Sequence, residues 1–255
     1  HLDGDQQMHD KAVCQDGVYE RAVAAIKLAK SKGFRVTINC TFFSEAQADR
    51  VAAFFDTVTE LGVDGITVSP GYAYERAPDQ QHFLNRQRTK TLFRDVFRKG
   101  RGGRKWAFNQ SGLFLDFLAG NQTYQCTPWG NPTRNVFGWQ KPCYLLNEGT
   151  VSTFKELMDG TDWDAYGVGK YAKCSDCMVH CGFEATAVAD SVQKPWKAAK
   201  VALAGVRTEG AFAADIPIDK ARPAEYVFSA NVQKTLTQMR EEEAAGRDAK
   251  ATAAE

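Results

Sequence analysis

The sequence has no long apolar run, no secretory signal peptide and almost no net charge. No apolar stretch approaches the length of a membrane-spanning helix. Lys plus Arg number 32 and Asp plus Glu number 31, for a net charge of +1. Such a balance does not indicate nucleic acid or an anionic membrane as an obligatory partner. We therefore expect a cytoplasmic protein that binds no nucleic acid.

The chain also lacks an initial Met and begins with His1. Its first four residues, His-Leu-Asp-Gly, are typical of a strand that ends in a loop, so we expect a chain whose beginning is absent. With 255 residues, of which 44% are hydrophobic, it is long enough for one large domain or for one domain and a half.

Cysteine is the residue type that departs from this ordinary composition. Five of the seven cysteines have the spacing C-x11-G-x4-C followed by C-x2-C-x3-C, which is typical of a zinc site or an iron–sulfur cluster. An odd number of cysteines and their crowding argue against a disulfide framework. Zinc and a [4Fe–4S] cluster need the same ligands, so the spacing leaves both open. The five candidate metal ligands are Cys126, Cys143, Cys174, Cys177 and Cys181.

Strand and helix patterns alternate in the first part of the chain. The sequence predicts a helix over 18–32 capped by Asp16, a strand over 34–41, a helix from a Ser44–Gln47 capping box to Gly62, and a strand over 65–70. Two strands about thirty residues apart with a helix between them form a βαβ unit. The strands are then parallel and belong to an α/β barrel or an open sheet.

Ligands of such folds bind at the carboxyl ends of the strands. Here these ends are residues 1–4, 39–41 and 69–72, and all carry polar residues or glycine. Cys40 is positioned there as a thiol that could donate a hydrogen atom or proton to a bound molecule. His1 and Asp3 are candidates for the same positional reason.

Later segments predict further helices and a change of texture. Helices are expected over 86–99, from a Ser111 cap to Leu118, over 154–158 and over 185–206. From about residue 124 the chain has short segments, turns and cysteines, which indicates a smaller metal-organised module. Aromatic residues between Trp106 and Tyr144 fit either ordinary core or the wall of a site for a large apolar ligand.

Long strings of residues also resemble a known family. These strings are His-Leu-Asp-Gly at 1–4, Val-Thr-Ile-Asn-Cys-Thr at 36–41, Gly-Val-Asp-Gly-Ile-Thr-Val-Ser-Pro-Gly-Tyr-Ala-Tyr-Glu-Arg-Ala-Pro at 62–78, Phe-Leu-Ala-Gly-Asn-Gln-Thr-Tyr at 117–124, Cys-Thr-Pro-Trp-Gly-Asn-Pro-Thr-Arg-Asn-Val-Phe-Gly-Trp-Gln at 126–140 and Cys-x-x-Cys-Met-Val-His-Cys-Gly at 174–182. They closely resemble the adenosyl-hopene transferases, which are radical SAM proteins of hopanoid biosynthesis.

The resemblance implies an α/β fold. Residues 1–120 would be the later part of a partial (β/α)6 radical SAM barrel and residues 121–230 a small cysteine-rich C-terminal extension. The charged composition of residues 231–255 predicts a disordered tail. The resemblance also implies a reaction in which S-adenosylmethionine is cleaved at a [4Fe–4S] cluster. The 5′-deoxyadenosyl radical then adds to the exocyclic alkene of a hopene such as diploptene, and quenching gives adenosylhopane.

The resemblance further implies partners and site residues. The partners would be a hydrophobic triterpenoid, a reducing protein such as flavodoxin or ferredoxin, and the inner face of the membrane as a peripheral contact. The later side of the S-adenosylmethionine site would be formed by His1, Asp3, Asn39 and Ser69. Cys40 is the candidate hydrogen donor.

One motif of the family is missing. Radical SAM proteins hold the catalytic cluster with C-x3-C-x2-C, and this sequence contains no such spacing. By analogy, residues 1–4 would end the fourth barrel strand and the cluster ligands would precede them, so we expect this fragment to be inactive alone.

The five cysteines therefore suggest an accessory site. Their C-x11-G-x4-C element resembles the start of the extension that holds auxiliary iron–sulfur clusters in other radical SAM enzymes, which favours an auxiliary [4Fe–4S] cluster over zinc. Two other interpretations stay open: a non-enzymatic zinc-binding interaction module, and a radical SAM enzyme that acts on another lipid.

Overall fold

The computed structural model describes residues 1–72, 81–146 and 148–224. His1–Pro223 forms one compact unit, and Ala224–Glu255 is assigned to a second unit of which only Ala224 is described. Segments 1–120 and 121–223 both belong to the first unit, and a division between them at residue 120 stays a prediction. The predicted tail, 231–255, lies outside the described residues.

The predicted βαβ unit is confirmed. Strand β1 (Thr37–Phe42) and strand β2 (Gly65–Pro70) pair in parallel, with Thr37 opposite Gly65 and Phe42 opposite Pro70. Each strand alternates side chains between two faces, so Ile38, Cys40 and Phe42 are all buried on the core side of β1.

Two further segments lie beside this pair. Leu2 donates its N–H to the Asn39 carbonyl at 3.0 Å, while Ile66 donates to the Ala107 carbonyl at 2.8 Å and accepts from the Asn109 N–H at 2.9 Å. The start of the chain, β1, β2 and residues 107–109 are thus neighbours in that order. A six-stranded partial barrel stays a prediction.

The part of the chain that the structure describes contains eight α-helices. They are α1 (Gln6–Ala12), α2 (Val18–Ser31), α3 (Ala48–Glu60), α4 (Arg86–Lys99), α5 (Gly112–Leu118), α6 (Phe154–Gly160), α7 (His180–Gln193) and α8 (Pro195–Ala204). Within the described ranges, no helix is both long and apolar enough to cross a membrane.

Helix ends show where local sequence signals succeed and fail. The Ser111 side chain accepts the Phe114 N–H and caps α5 as predicted. The predicted caps at Asp16 and Ser44 are wrong, because α2 follows Gly17 and α3 follows Gln47, in both cases without a side-chain cap. The predicted helix over 185–206 is two helices, since Pro195 has no N–H to continue the ladder and holds Lys194 outside the helical region.

A small antiparallel sheet interrupts the helices. It consists of β3 (Arg134–Asn135), β4 (Gly138–Gln140) and β5 (Thr150–Val151), with β4 in the centre. Sequence patterns gave no indication of it, because its strands have only two or three residues each.

The aromatic residues divide between core and surface. Trp106, Phe114, Phe117 and Tyr124 are buried, in agreement with the core interpretation. Phe137, by contrast, is 81% exposed. Ordinary core therefore explains only part of this aromatic run.

Candidate metal centre and adjoining cavity

The structure brings all five candidate metal ligands to the wall of one cavity, here called the cysteine cavity. They come from separate parts of the chain: Cys126 follows α5, Cys143 follows β4, Cys174 and Cys177 lie before α7, and Cys181 is in its first turn. In the sequence these residues are up to 55 positions apart, from Cys126 to Cys181.

The Cys126 loop is fixed against the first turn of α7. The Thr127 N–H donates to the Gly182 carbonyl at 2.8 Å. A Cβ atom on Gly182 would lie 2.2 Å from the Cys126 sulfur, far inside van der Waals contact. Glycine at position 182 is therefore what allows Cys126 to reach the cavity.

Arg86, at the start of α4, holds the loop that carries Cys174 and Cys177. Its Nε donates to the Ser175 carbonyl at 3.1 Å and its Nη2 to the Cys177 carbonyl at 2.7 Å. The guanidinium also lies 5.8 Å from the ring centres of both Phe117 and Phe183. A cation is thus placed directly behind the cysteine loop.

Burial dominates the electrostatics of the five thiols. It raises the pKa of each of them, and charge on neighbouring thiols raises the pKa of Cys126 and Cys177 further. The pKa of Cys174 rises to about 11 and that of Cys181 to about 12. The thiolate forms therefore need a positive centre beside them at neutral pH.

Backbone N–H groups point at four of the five sulfur atoms. The donors belong to Leu145 and Leu146 for Cys143, Gly167 for Cys174, Val179 for Cys177, and Gly182 and Cys181 itself for Cys181. Such donors stabilise negative charge on a thiolate and influence the reduction potential of an iron–sulfur cluster.

The spacing of the sulfur atoms tests which metal group the cavity fits. With Zn–S bonds of about 2.3 Å, the sulfur atoms of a tetrahedral site lie about 3.8 Å apart. Among the described residues, no three cysteine sulfur atoms lie within 4.8 Å of one another. The five sulfur atoms are therefore more widely spaced than the ligands of a single zinc ion. Ligands at the corners of an iron–sulfur cluster are also more widely spaced. The free volume between the five thiols is about 30 Å³, so the thiols must turn outward to admit a cluster.

A second cavity of about 420 Å³ opens at the carboxyl ends of β1 and β2, and we call it the sheet-edge cavity. Asn39 and Ser69, two of the predicted cofactor-binding residues, both line it. Tyr72 and Leu145 line this cavity and the cysteine cavity alike, so the two share a wall. The other lining residues include Thr41, Phe43, Phe83, Tyr144, Val179 and His180.

His180, which directly precedes the candidate metal ligand Cys181 in the sequence, also lines this cavity. Its Nδ1 lies 3.5 Å from the Ser69 hydroxyl, and burial lowers its pKa, so the ring is neutral at pH 7. Successive residues of a helix project about 100° apart. In the first turn of α7, Cys181 therefore faces one cavity and His180 the other.

His1 and Asp3 lie at the same sheet edge but do not line either cavity. The Asp3 carboxylate accepts the Thr41 N–H at 2.7 Å and lies 3.0 Å from His1 Nε2. Burial raises the pKa of this carboxyl group. His9, a buried residue that sequence patterns did not indicate, accepts the Asp3 N–H at 3.2 Å through Nδ1. These three side chains bring one potential ligand atom each within 4.8 Å of one another.

Cys40 is on the opposite face of β1 from the sheet-edge cavity. It is fully buried in the core beside Ile38 and Phe42, whereas Asn39 and Thr41 face the cavity. The Cys40 thiol therefore points away from the sheet-edge cavity. The alternation of the strand, two residues per repeat, is the physical reason.

Comparisons with known proteins give two solved structures and one family. The chain is similar to native anSMEcpe with bound AdoMet and Cp18Cys peptide, with 14% identity and a TM-score of 0.47 over 79% of this chain and 68% of the other. It is similar to native anSMEcpe with bound AdoMet to nearly the same degree, with 14% identity and a TM-score of 0.46 over 79% of this chain and 67% of the other. No curated protein sequence matches the chain. A family model described as Domain of unknown function (DUF3463) matches residues 66–201, which is more than half of the sequence, and the chain therefore belongs to this family.

Proposed function

We propose that the protein acts in a radical SAM reaction, as part of an adenosyl-hopene transferase. In this reaction the 5′-deoxyadenosyl group of S-adenosylmethionine is added to the alkene carbon of a hopene and adenosylhopane is formed. The resemblance of the long sequence strings supports this assignment. A reducing protein such as flavodoxin or ferredoxin would supply the electrons.

The sheet-edge cavity is the observation on which this proposal depends. It lies at the carboxyl ends of parallel strands, which is where α/β folds bind their ligands. Its lining combines the polar groups of Asn39, Ser69 and His180 with the rings of Phe43 and Phe83. This combination suits a ligand pair of which one member is polar and the other is a hydrocarbon.

Each side of the cavity has its own task in this proposal. The Asn39 amide and the Ser69 hydroxyl bind and orient the polar ligand through hydrogen bonds. The neutral His180 imidazole adds a third such group beside Ser69. The aromatic wall excludes water and packs against the rigid ring system of a triterpenoid.

The chain's own cysteines fit an accessory cluster but not the catalytic one. Outside the cysteine cavity, the sequence has only Cys14, which is exposed, and Cys40, which is in the core. No catalytic step is therefore assigned to a cluster held by these residues. For the cysteine cavity we propose an auxiliary [4Fe–4S] cluster, which would supply electron transfer when bound; the wide sulfur spacing and the N–H donors support it over zinc.

The reaction is tested with the natural full-length protein that contains this sequence. Anaerobically reconstituted enzyme is incubated with S-adenosylmethionine, a reductant and diploptene, and adenosylhopane is measured by mass spectrometry. We expect product from the wild type and at least a tenfold lower yield from Ser69→Ala and His180→Ala. Ser191→Ala, which removes a hydroxyl on α7 that donates to the Ala187 carbonyl at 2.8 Å, serves as the control and should retain full activity.

Three results would contradict parts of the proposal separately. Formation of 5′-deoxyadenosine without adenosylhopane would indicate a radical SAM enzyme that acts on another substrate. Absence of both products would favour the non-enzymatic interpretation. Elemental analysis that finds zinc and no iron, with all five cysteines intact, would exclude the auxiliary cluster.

A further inference from the structure

The tip of the β3–β4 hairpin carries the two most exposed large apolar side chains among the described residues. Val136 is 89% exposed and Phe137 is 81% exposed. They are adjacent and form the two-residue loop between the strands. Single exposed apolar residues are common on protein surfaces, but a neighbouring pair at the apex of a projection indicates a contact surface.

The tip is rigid. The Asn135 side-chain oxygen accepts the N–H of Phe137 at 2.8 Å and that of Gly138 at 3.2 Å. Gly138 has φ +138°, and a Cβ there would lie 2.5 Å from the Val151 carbonyl oxygen, so β4 approaches β5 closely. The exposure of the two side chains is therefore built into the hairpin.

The hairpin itself carries basic residues. Residues 117–147 contain no Asp or Glu, but they contain Arg134 in β3 and Lys141 directly after β4. Behind the tip, the Trp139 ring packs edge-on against Phe154, with ring centres 5.1 Å apart. Membrane-binding surfaces commonly combine an apolar tip with basic residues beside it and aromatic rings at the level of the lipid headgroups. The hairpin has all three.

We propose that the β3–β4 hairpin tip inserts into the surface of an anionic phospholipid bilayer. A convex tip of two side chains is too small for a stable protein interface, which needs about 800 Å² on each partner. It is sufficient for weak, reversible membrane binding of the kind that one lipid chain provides. This inference depends on the hairpin alone and does not require the proposed reaction.

The tip and the cavities are close in the sequence. The chain runs from Phe137 through β4 to Cys143 and Leu145, which line the cavities, in only eight residues. Tyr144, in the wall of the sheet-edge cavity, is itself 37% exposed.

Vesicle co-sedimentation of the full-length protein tests the inference without substrate or S-adenosylmethionine. We expect binding to vesicles of phosphatidylcholine and phosphatidylglycerol that weakens with salt, and little binding to phosphatidylcholine alone. Phe137→Asp should lower the partition coefficient at least tenfold, because an apolar side chain no longer inserts. Arg134→Ala and Lys141→Ala should each lower it about fivefold.

Leu203→Asp is the matched control, since Leu203 is 78% exposed on α8 and undergoes the same chemical change. It should leave vesicle binding unchanged. Equal loss of binding in Leu203→Asp and Phe137→Asp, or wild-type binding by Phe137→Asp, would overturn the inference. A concentration-dependent dimer that Phe137→Asp abolishes, without an effect on vesicles, would assign the tip to a second copy of the chain instead. Circular dichroism confirms that each variant is folded.

Discussion

Replacement of Arg86 by Met should loosen the cysteine loop. The change removes the two hydrogen bonds that the guanidinium donates to the Ser175 and Cys177 carbonyls, at 3.1 and 2.7 Å, and both ring contacts. The bond from the Arg86 backbone N–H to the Asp176 carboxylate, at 3.0 Å, persists because it does not involve the side chain. The perturbation is therefore confined to the guanidinium.

The size of the effect follows from these contacts. Hydrogen bonds from a charged donor contribute about 1.5–3 kcal/mol each. Each cation–π contact adds about 0.5–1 kcal/mol. Burial of the guanidinium, which lowers the pKa of Arg86, opposes part of this gain. We expect a net loss of about 2–4 kcal/mol in the free energy of unfolding for Arg86→Met, and about half of that for Arg86→Lys, which keeps the charge but not the forked geometry.

Urea unfolding of the metal-free, reduced protein measures this free energy, and elemental analysis after reconstitution measures metal content. Arg88→Met, an exposed position on the same helix, is the control and should change stability by less than about 0.5 kcal/mol. If Arg86→Met also stayed within about 0.5 kcal/mol of the wild type and bound as much metal, the assignment of Arg86 as the residue that holds this loop would be refuted.

Three further perturbations give distinct expectations. Gly182→Ala places a Cβ 2.2 Å from the Cys126 sulfur and should reduce the metal content of the reconstituted protein. Gly160→Ala, where no atom lies within 4 Å of the new Cβ, is the control and should not reduce it. Equal metal content in the two variants would contradict the steric argument. Burial alone would raise the pKa of Asp190, but hydrogen bonds from Lys197, Lys194 and Tyr124 lower it to about 2. The ionised carboxylate therefore stabilises the folded protein fully above the unfolded pKa of 3.8, and this stabilisation is lost as the pH falls towards 2. Urea titrations over this range should show a flatter pH dependence for Asp190→Asn, and parallel curves would exclude the linkage. Cys40→Ala should lower the free energy of unfolding by about 1–2 kcal/mol and leave product formation unchanged, because the Cys40 thiol faces the core. Slower quenching of the product radical with intact S-adenosylmethionine cleavage would instead support Cys40 as the hydrogen donor.

Periodicity was sufficient to predict the βαβ unit, because the burial of β1, α3 and β2 follows directly from their apolar spacing. It failed where a single residue decides the local geometry. Pro195 divides the last helical stretch, and Gly17 begins α2 in a left-handed conformation at φ +79°. The small sheet was not predictable, since its pairing depends on contacts between strands too short to have a pattern.

The site shows a similar division. Cysteine spacing singled out five residues that the structure places around one cavity, and their role as metal ligands stays a prediction. The hypothesis for Cys40 considered only its place at the end of a strand. Ile38, Cys40 and Phe42 alternate with polar residues in the sequence, and this alternation predicts a thiol that faces the core. His9 has no comparable signal, because its role depends on which neighbours the fold brings to it.

The wall shared by the two cavities has a thermodynamic consequence. Tyr72 lines both, and its hydroxyl donates to the Lys173 carbonyl in the loop that carries the metal-site cysteines. If a ligand in the sheet-edge cavity displaces Tyr72 and with it this loop, occupancy of one cavity changes affinity in the other. Linkage makes the effect reciprocal: the factor by which metal binding alters ligand affinity equals the factor by which the ligand alters metal affinity. The metal centre would thus report, through its own binding constant, whether the neighbouring cavity is filled.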